Sequence, residues 1–61
     1  MVSKYNVHQK FKLKFDKNNI IYQIIVINYH KKYIEYVLEN IKTKDTLKIK
    51  DTVIDDAFQK I

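Results

Sequence analysis

The sequence predicts a mainly-β chain with four to five antiparallel strands and one α-helix at its C-terminal end. The strands curl into a small, partly open barrel; the alternative arrangement is an open meander with the helix packed on one face. Three observations carry this expectation. Residues 10–15 alternate strictly between lysine and apolar side chains, the period-two signature of a strand with one buried face. Residues 20–29 are rich in β-branched and aromatic side chains on both faces, as in a central strand or one that bends across a barrel. After Asp51 the apolar period lengthens to that of a helix.

Each element follows from its residues. In the first strand, residues 10–15, Phe11, Leu13 and Phe15 face inward and Lys10, Lys12 and Lys14 outward. Residues 1–8 add a short strand or lie loose, with Ser3 near a frayed end. Asp16 to Asn19 make the first turn, because Asp and Asn tolerate left-handed backbone and bond to nearby amides. The second strand spans residues 20–29, with Ile20, Tyr22, Ile24 and Val26 on one face and Ile21, Ile25, Ile27 and Tyr29 on the other. A turn over Asn28 to Lys32 leads to a third strand over residues 33–41, in which Ile34, Tyr36 and Leu38 alternate with Glu35, Val37 and Glu39. A hairpin turn at Thr43 to Thr46 precedes a fourth strand at residues 46–50. The helix spans residues 52–60: Ile54, Ala57, Phe58 and Ile61 form its apolar stripe, and Thr52 with Asp55 has capping-box spacing. Asp55 and Asp56 in its first turn and Lys60 in its last suit the helix dipole.

Composition narrows the function classes. The 61 residues make a single small domain with a formal charge of +5 and no Gly, Pro, Cys or Trp; all 12 basic residues are lysine. Lacking Cys, the chain has neither a disulfide framework nor a thiolate metal site. Lacking Gly, it has no phosphate-binding glycine loop. The abundance of Lys, Ile, Asn, Tyr and Phe follows AT-rich codon usage, as in a low-GC bacterium, its phage or an AT-rich parasite. No signal peptide or membrane span is evident: the apolar run from Ile20 to Ile27 is broken by Gln23 and is far shorter than the roughly 20 residues a spanning helix needs. The expected setting is therefore the cytoplasm of a bacterial host, with no membrane partner.

Several stretches resemble a known family. Small phage and prophage proteins with SH3-like barrels often carry a Val-Gly-Asp-Lys-Phe step, a Tyr-x-Ile-x-x-Ile strand, an Asn-x-Lys-Thr-Gly-x-x-Leu-x-Ile hairpin and a closing Phe-x-x-Ile. The chain reads Val7-His8-Gln9-Lys10-Phe11, then Tyr22-Gln23-Ile24-Ile25-Val26-Ile27, then Asn40-Ile41-Lys42-Thr43-Lys44-Asp45-Thr46-Leu47-Lys48-Ile49, and ends Phe58-Gln59-Lys60-Ile61. The resemblance implies an SH3-like partly open barrel of phage or prophage origin. His8 and Lys44 stand where the motifs have glycine.

Candidate binding residues come from charge and aromatic placement. Residues 1–50 carry the positive charge, and residues 51–61 are net acidic. Lys10, Lys12 and Lys14 share one strand face and Lys48 and Lys50 another; if the barrel brings these strands together, they form a five-lysine patch suited to phosphate. Tyr29 and Tyr33 flank His30, Lys31 and Lys32, so this turn offers aromatics among cations for base stacking or a protein contact. Tyr22 and Tyr36 are expected in the core. Catalysis is not expected: Ser3 is the sole serine, His8 and His30 have no carboxylate at a useful spacing, and Asp51, Asp55 and Asp56 serve as helix caps. A domain this size is also expected to lack a substrate pocket of about 300 Å³ or more. No metal or cofactor is expected.

The expected function is a non-enzymatic protein that binds and inhibits a host or defence protein, acting as an anti-defence product of a mobile element. Nucleic-acid or nucleotide binding through the lysine-rich sheet is the alternative. Self-association through an exposed strand edge, or through the Ile21, Ile25 and Ile27 face, is a further expectation.

Overall fold

The computed structural model describes residues 2–61; Met1 lies outside the described residues. Five antiparallel strands form one sheet: β1 (Lys10–Leu13), β2 (Ile21–Tyr29), β3 (Ile34–Asn40), β4 (Thr46–Lys50) and β5 (Phe58–Lys60), with α1 (Asp51–Ala57) between the last two. The spatial order is β4-β3-β2-β1-β5. The sheet curls into a half-barrel, matching a small, SH3-like, partly open barrel. α1 follows β4 directly and carries the chain to the opposite edge, where β5 pairs with β1.

Alternation in β3 sets the inward face. Ile34, Tyr36, Leu38 and Asn40 are buried, and Glu35, Val37 and Glu39 are half-buried on the other face. The core is Tyr5, Phe11, Ile24, Ile34, Tyr36, Leu38, Ile54 and Phe58, with Leu13, Tyr22, Ile27, Leu47, Ile49 and Ala57 packed against it. A fully buried apolar side chain of this size stabilises the fold by about 1.5–3 kcal/mol. Tyr22 and Tyr36 thus lie where the sequence places them, and the edge of Tyr22 meets Phe58 at 5.4 Å between ring centroids.

A bulge explains why β2 is apolar on both sides. Ile24 pairs with Leu38 and Val26 with Val37, so Ile25 is an extra residue on β2. Adding one residue to a period-two strand exchanges its faces. Tyr22 and Ile24 face the core before the bulge, and Ile27 does so after it. Ile21, Ile25 and Ile27 therefore do not form the single face expected for self-association.

The N-terminal segment is neither a strand nor loose within its described part. Tyr5 is buried, its ring edge-on to Phe11 at 4.8 Å and to Tyr36 at 5.9 Å. Ser3 Oγ lies 3.1 Å from the Tyr36 hydroxyl and donates to the Tyr5 carbonyl, so Ser3 is fastened to the core rather than frayed. The His8 amide donates to the Ile24 carbonyl at 2.8 Å and the Ile24 amide to the Gln9 carbonyl at 3.0 Å. These bonds extend the pairing of β1 and β2 beyond Lys10.

The strand and helix ends depart from the sequence expectation for reasons of hydrogen bonding. β1 ends at Leu13, where the Asp16 amide turns back to the Leu13 carbonyl; the Lys14 amide still reaches the Ala57 carbonyl, the last bond toward the C-terminal segment. This leaves Phe15, expected inside, 92% exposed. β2 begins at Ile21, and β3 runs from Ile34 to Asn40, one residue shorter at each end than expected. The helix starts at Asp51 and ends at Ala57 rather than running over residues 52–60. The free edge of β1 takes up Phe58–Lys60 as β5, pairing Leu13 with Phe58 and Phe11 with Lys60. Phe58 is buried in a helical or an extended chain alike, so its apolar stripe does not distinguish the two. Lys60 consequently lies in a strand, and Ile61 is exposed. The expected capping box is absent: the N-cap residue is Lys50, with no side-chain cap bond.

Among the described residues, three adopt positive φ, none of them glycine: His8 at 79°, Asn19 at 55° and Lys44 at 69°. His8 is the third residue of a turn closed by the Gln9 amide on the Asn6 carbonyl at 3.2 Å, the position that demands left-handed backbone in a type II turn. Lys44 closes the β3–β4 hairpin with its amide on the Asn40 carbonyl at 2.8 Å. The two positions where the sequence motifs call for glycine are thus left-handed here.

Candidate binding rim and loop cleft

The sheet order determines which candidate residues meet. Lys10 and Lys12 stand on the outward face of β1, paired with Gln23 and Ile21. Lys48 and Lys50 stand on the outward face of β4, paired with Val37 and Glu35. Strands β2 and β3 lie between them, so three strand spacings, roughly 14 Å along the sheet, separate the two rows. Glu35 and Glu39 of β3 occupy the intervening surface. The expected five-lysine patch therefore does not form. Lys14 lies beyond the end of β1, beside Ala57.

A smaller cluster forms where β2 turns into β3. The His30 amide donates to the Tyr33 carbonyl at 2.9 Å, placing Lys31 and Lys32 at the tip. The His30 and Tyr33 rings stack at 4.5 Å with a 22° interplanar angle. Lys50 Nζ sits 4.8 Å from the Tyr33 ring centroid, within cation–π range. Glu35 accepts from Asn28 Nδ2 at 3.1 Å and lies 3.9 Å from His30 Nε2. Tyr29, at the end of β2, is 61% exposed. Of the nine candidate residues, the structure brings Tyr33 and Lys50 together, with His30 added and Lys31 and Lys32 at the turn tip; Tyr29 ends β2 at the same rim, paired with Ile34 on the face opposite Lys50, and Lys10, Lys12, Lys14 and Lys48 lie outside it. Tyr33 is held by its neighbours, whereas Tyr29 is the exposed aromatic.

A cleft opens at the other end of the sheet. It is a depression of about 700 Å³, half open to solvent, between the β1–β2 and β3–β4 loops, lined by Asn18, Asn19 and Ile21 from one and Asn40, Ile41 and Lys42 from the other. Two loops projecting past the same sheet end border this space, which lies outside the core. The Ile41 amide donates to the Ile21 carbonyl at 3.1 Å and ties the loops together at their base. Asn40 Oδ1 accepts from the Lys42 and Thr43 amides at 2.9 and 3.2 Å, as an Asx turn does. Sequence reasoning missed this cleft because its two lips are about twenty residues apart along the chain and its asparagines read as turn formers.

The acidic residues of α1 do not cap the helix. Asp55 accepts from the Tyr5 hydroxyl at 2.5 Å and from Lys4 Nζ at 2.8 Å. These bonds hold the Asp55 carboxyl below its ordinary range, through Lys4 first and Tyr5 second. They raise Tyr5 and Lys4 above their ordinary values, chiefly through the hydrogen bond each makes to Asp55. The group is a structural clasp. Among the described residues, no three His, Cys, Asp or Glu side chains are grouped to hold a metal ion. No helix among them is long and apolar enough to cross a membrane. Comparison with protein-family models, curated proteins and solved structures gave no match.

Proposed function

We propose that this chain is a non-catalytic binding module of phage or mobile-element origin that engages a host or defence protein stoichiometrically and inhibits it through the β2–β3 rim. One observation carries the reading: an exposed tyrosine, Tyr29, ends β2 at a turn tipped by Lys31 and Lys32 and braced by the Tyr33–His30 stack. Exposed aromatics on a rigid support are the usual anchors of protein interfaces. The surrounding cations favour a partner with an acidic surface and speed its capture. The phage origin and the inhibitory role rest on the sequence resemblance and on the size and composition of the chain.

The separation of the lysine rows favours protein over nucleic acid as the partner, because a strand laid across the sheet meets Glu35 and Glu39 between the cations. The test is affinity capture from the extract of a low-GC bacterium, treated with nuclease beforehand. The expected result is one acidic protein retained in a 1:1 ratio. Retention of nothing after nuclease, with tight nucleic-acid binding before it, overturns the reading in favour of the nucleic-acid alternative.

A further inference from the structure

We infer that the free edge of β4 takes up an extended, acidic segment of a partner protein as an added strand of the sheet. This surface shares only Lys50 with the β2–β3 rim and stands independently of the function proposed there.

The sheet order leaves two edges, β4 and β5, and β4 is the longer, at five residues against three. Antiparallel pairs alternate between those that exchange backbone bonds and those that do not. The Asn40 amide donates to the Asp45 carbonyl, so the bonded pairs beyond it are Leu38 with Leu47 and Tyr36 with Ile49. Thr46, Lys48 and Lys50 therefore turn their backbone N–H groups away from β3, and all three residues are exposed. Among the described residues, no backbone bond from outside the strands reaches these amides.

Charge decides which strand this edge accepts. Edges are blunted by bulges, proline, a covering element or lysine. Here the β3–β4 register is regular from Glu35–Lys50 to Glu39–Thr46, the chain has no proline, and α1 leaves β4 for the opposite edge. That leaves Lys48 and Lys50, exposed on the outward face, as the guard. Two β4 edges paired antiparallel about Lys48 or Ile49 set lysine against lysine, which is destabilising. An incoming Asp or Glu beside Lys48 and Lys50 instead makes opposite-charge cross-strand pairs. On the inward face Leu47 and Ile49 pack against the core yet are only half-buried, so apolar side chains set beside them complete their burial. The segment that fits therefore alternates Asp or Glu with Val, Ile or Phe. In such strand addition the backbone bonds supply affinity and the alternate side chains specificity.

The test is titration of the full chain with a short capped peptide alternating Glu and Val, read by amide chemical shifts and amide hydrogen exchange. The comparison arms are a peptide of the same composition with its Glu and Val in two blocks, and a peptide alternating Lys and Val. The alternating acidic peptide is expected to bind and the other two are not. At saturation, exchange at Thr46, Lys48 and Lys50 should slow about tenfold or more, while Leu47 and Ile49, already bonded to β3, change little. Lys48→Glu with Lys50→Glu should weaken the acidic peptide by about tenfold or more and admit the lysine peptide, an exchange of preference that a misfolded chain does not show. Lys48→Pro removes an amide that faces away from β3, a place where an edge strand tolerates proline, and should abolish binding. The proposal is overturned if the acidic peptide does not bind at millimolar concentration, if the block peptide binds equally, if the slowed amides lie on β5 or at residues 30–33, or if charge reversal leaves the preference unchanged. Slowing at Thr46, Lys48 and Lys50 that rises with protein concentration in the absence of peptide also overturns it, in favour of a second copy of the chain.

Discussion

The Tyr5 hydroxyl donates to Asp55 Oδ1 at 2.5 Å across fifty residues of chain. This bond joins the segment before β1 to α1, and Lys4 closes the same carboxylate from the other oxygen. Tyr5 also fills the core between Phe11 and Tyr36. The segment therefore belongs to the folded unit, although it contributes no strand.

The clasp makes stability depend on pH in a defined direction. Asp55 is held below its ordinary carboxylate value, so its contribution is complete above that value and is lost as pH falls through the depressed one. Tyr5 is raised, so its contribution is present below the ordinary phenol value and is lost as pH rises through the raised one. The midpoint of thermal unfolding should fall on acidification below about pH 4, the ordinary carboxylate range, and Asp55→Asn should flatten that fall. Parallel pH profiles for the two proteins contradict the clasp. Tyr5→Phe should cost about 1 kcal/mol at neutral pH, typical of one hydrogen bond. Because the Lys4–Asp55 pair is exposed, its loss alone should be nearly silent.

Phe11 and Phe15 occupy equivalent places in one alternating run but opposite environments, 1% and 92% exposed. Phe11→Ala should destabilise by about 3–5 kcal/mol, the cost of a large core truncation. Phe15→Ser should change stability by no more than about 0.5 kcal/mol, as an exposed site does. Denaturant unfolding measures both, and a large loss from Phe15→Ser contradicts the observed end of β1.

His8 and Lys44 pay a steric cost for positive φ that glycine avoids. After the added freedom glycine gives the unfolded chain, His8→Gly and Lys44→Gly should each stabilise by about 0.5–1 kcal/mol. Lys44→Ala should give no gain, because the β-carbon remains. Thermal unfolding of the three variants separates backbone strain from loss of charge.

Much of this was legible because it is local. The alternation of Ile34, Tyr36 and Leu38 depends only on its own residues, and it set the inward face of β3. The left-handed backbone at His8 and Lys44 was not legible, because neither residue type asks for positive φ and only the surrounding hydrogen bonds impose it. The rest depends on partners distant in sequence. The bulge at Ile25 exists only in register with Leu38 and Val37. β5 forms because the edge of β1 needs a partner, a demand invisible in Phe58-Gln59-Lys60-Ile61. The lysine rows had a readable strand address, but whether they met depended on the sheet order. Asp55 matched a capping box by spacing, while its actual partners, Tyr5 and Lys4, lie at the other end of the chain.

The central claim is that the β2–β3 rim, rather than the lysine-bearing sheet face, engages the partner. It is tested most directly by comparing two charge reversals of equal size for affinity to the captured protein: Lys31→Glu with Lys32→Glu, and Lys10→Glu with Lys12→Glu. Lys10, Lys31 and Lys32 are exposed and Lys12 is half-buried on the outward sheet face, so both pairs should leave the fold intact. The rim pair should weaken binding by about tenfold or more, equivalent to 1.4 kcal/mol, while the sheet pair leaves it within about threefold, a screened long-range effect. Equal losses from both, or a loss from the sheet pair alone, contradict the claim.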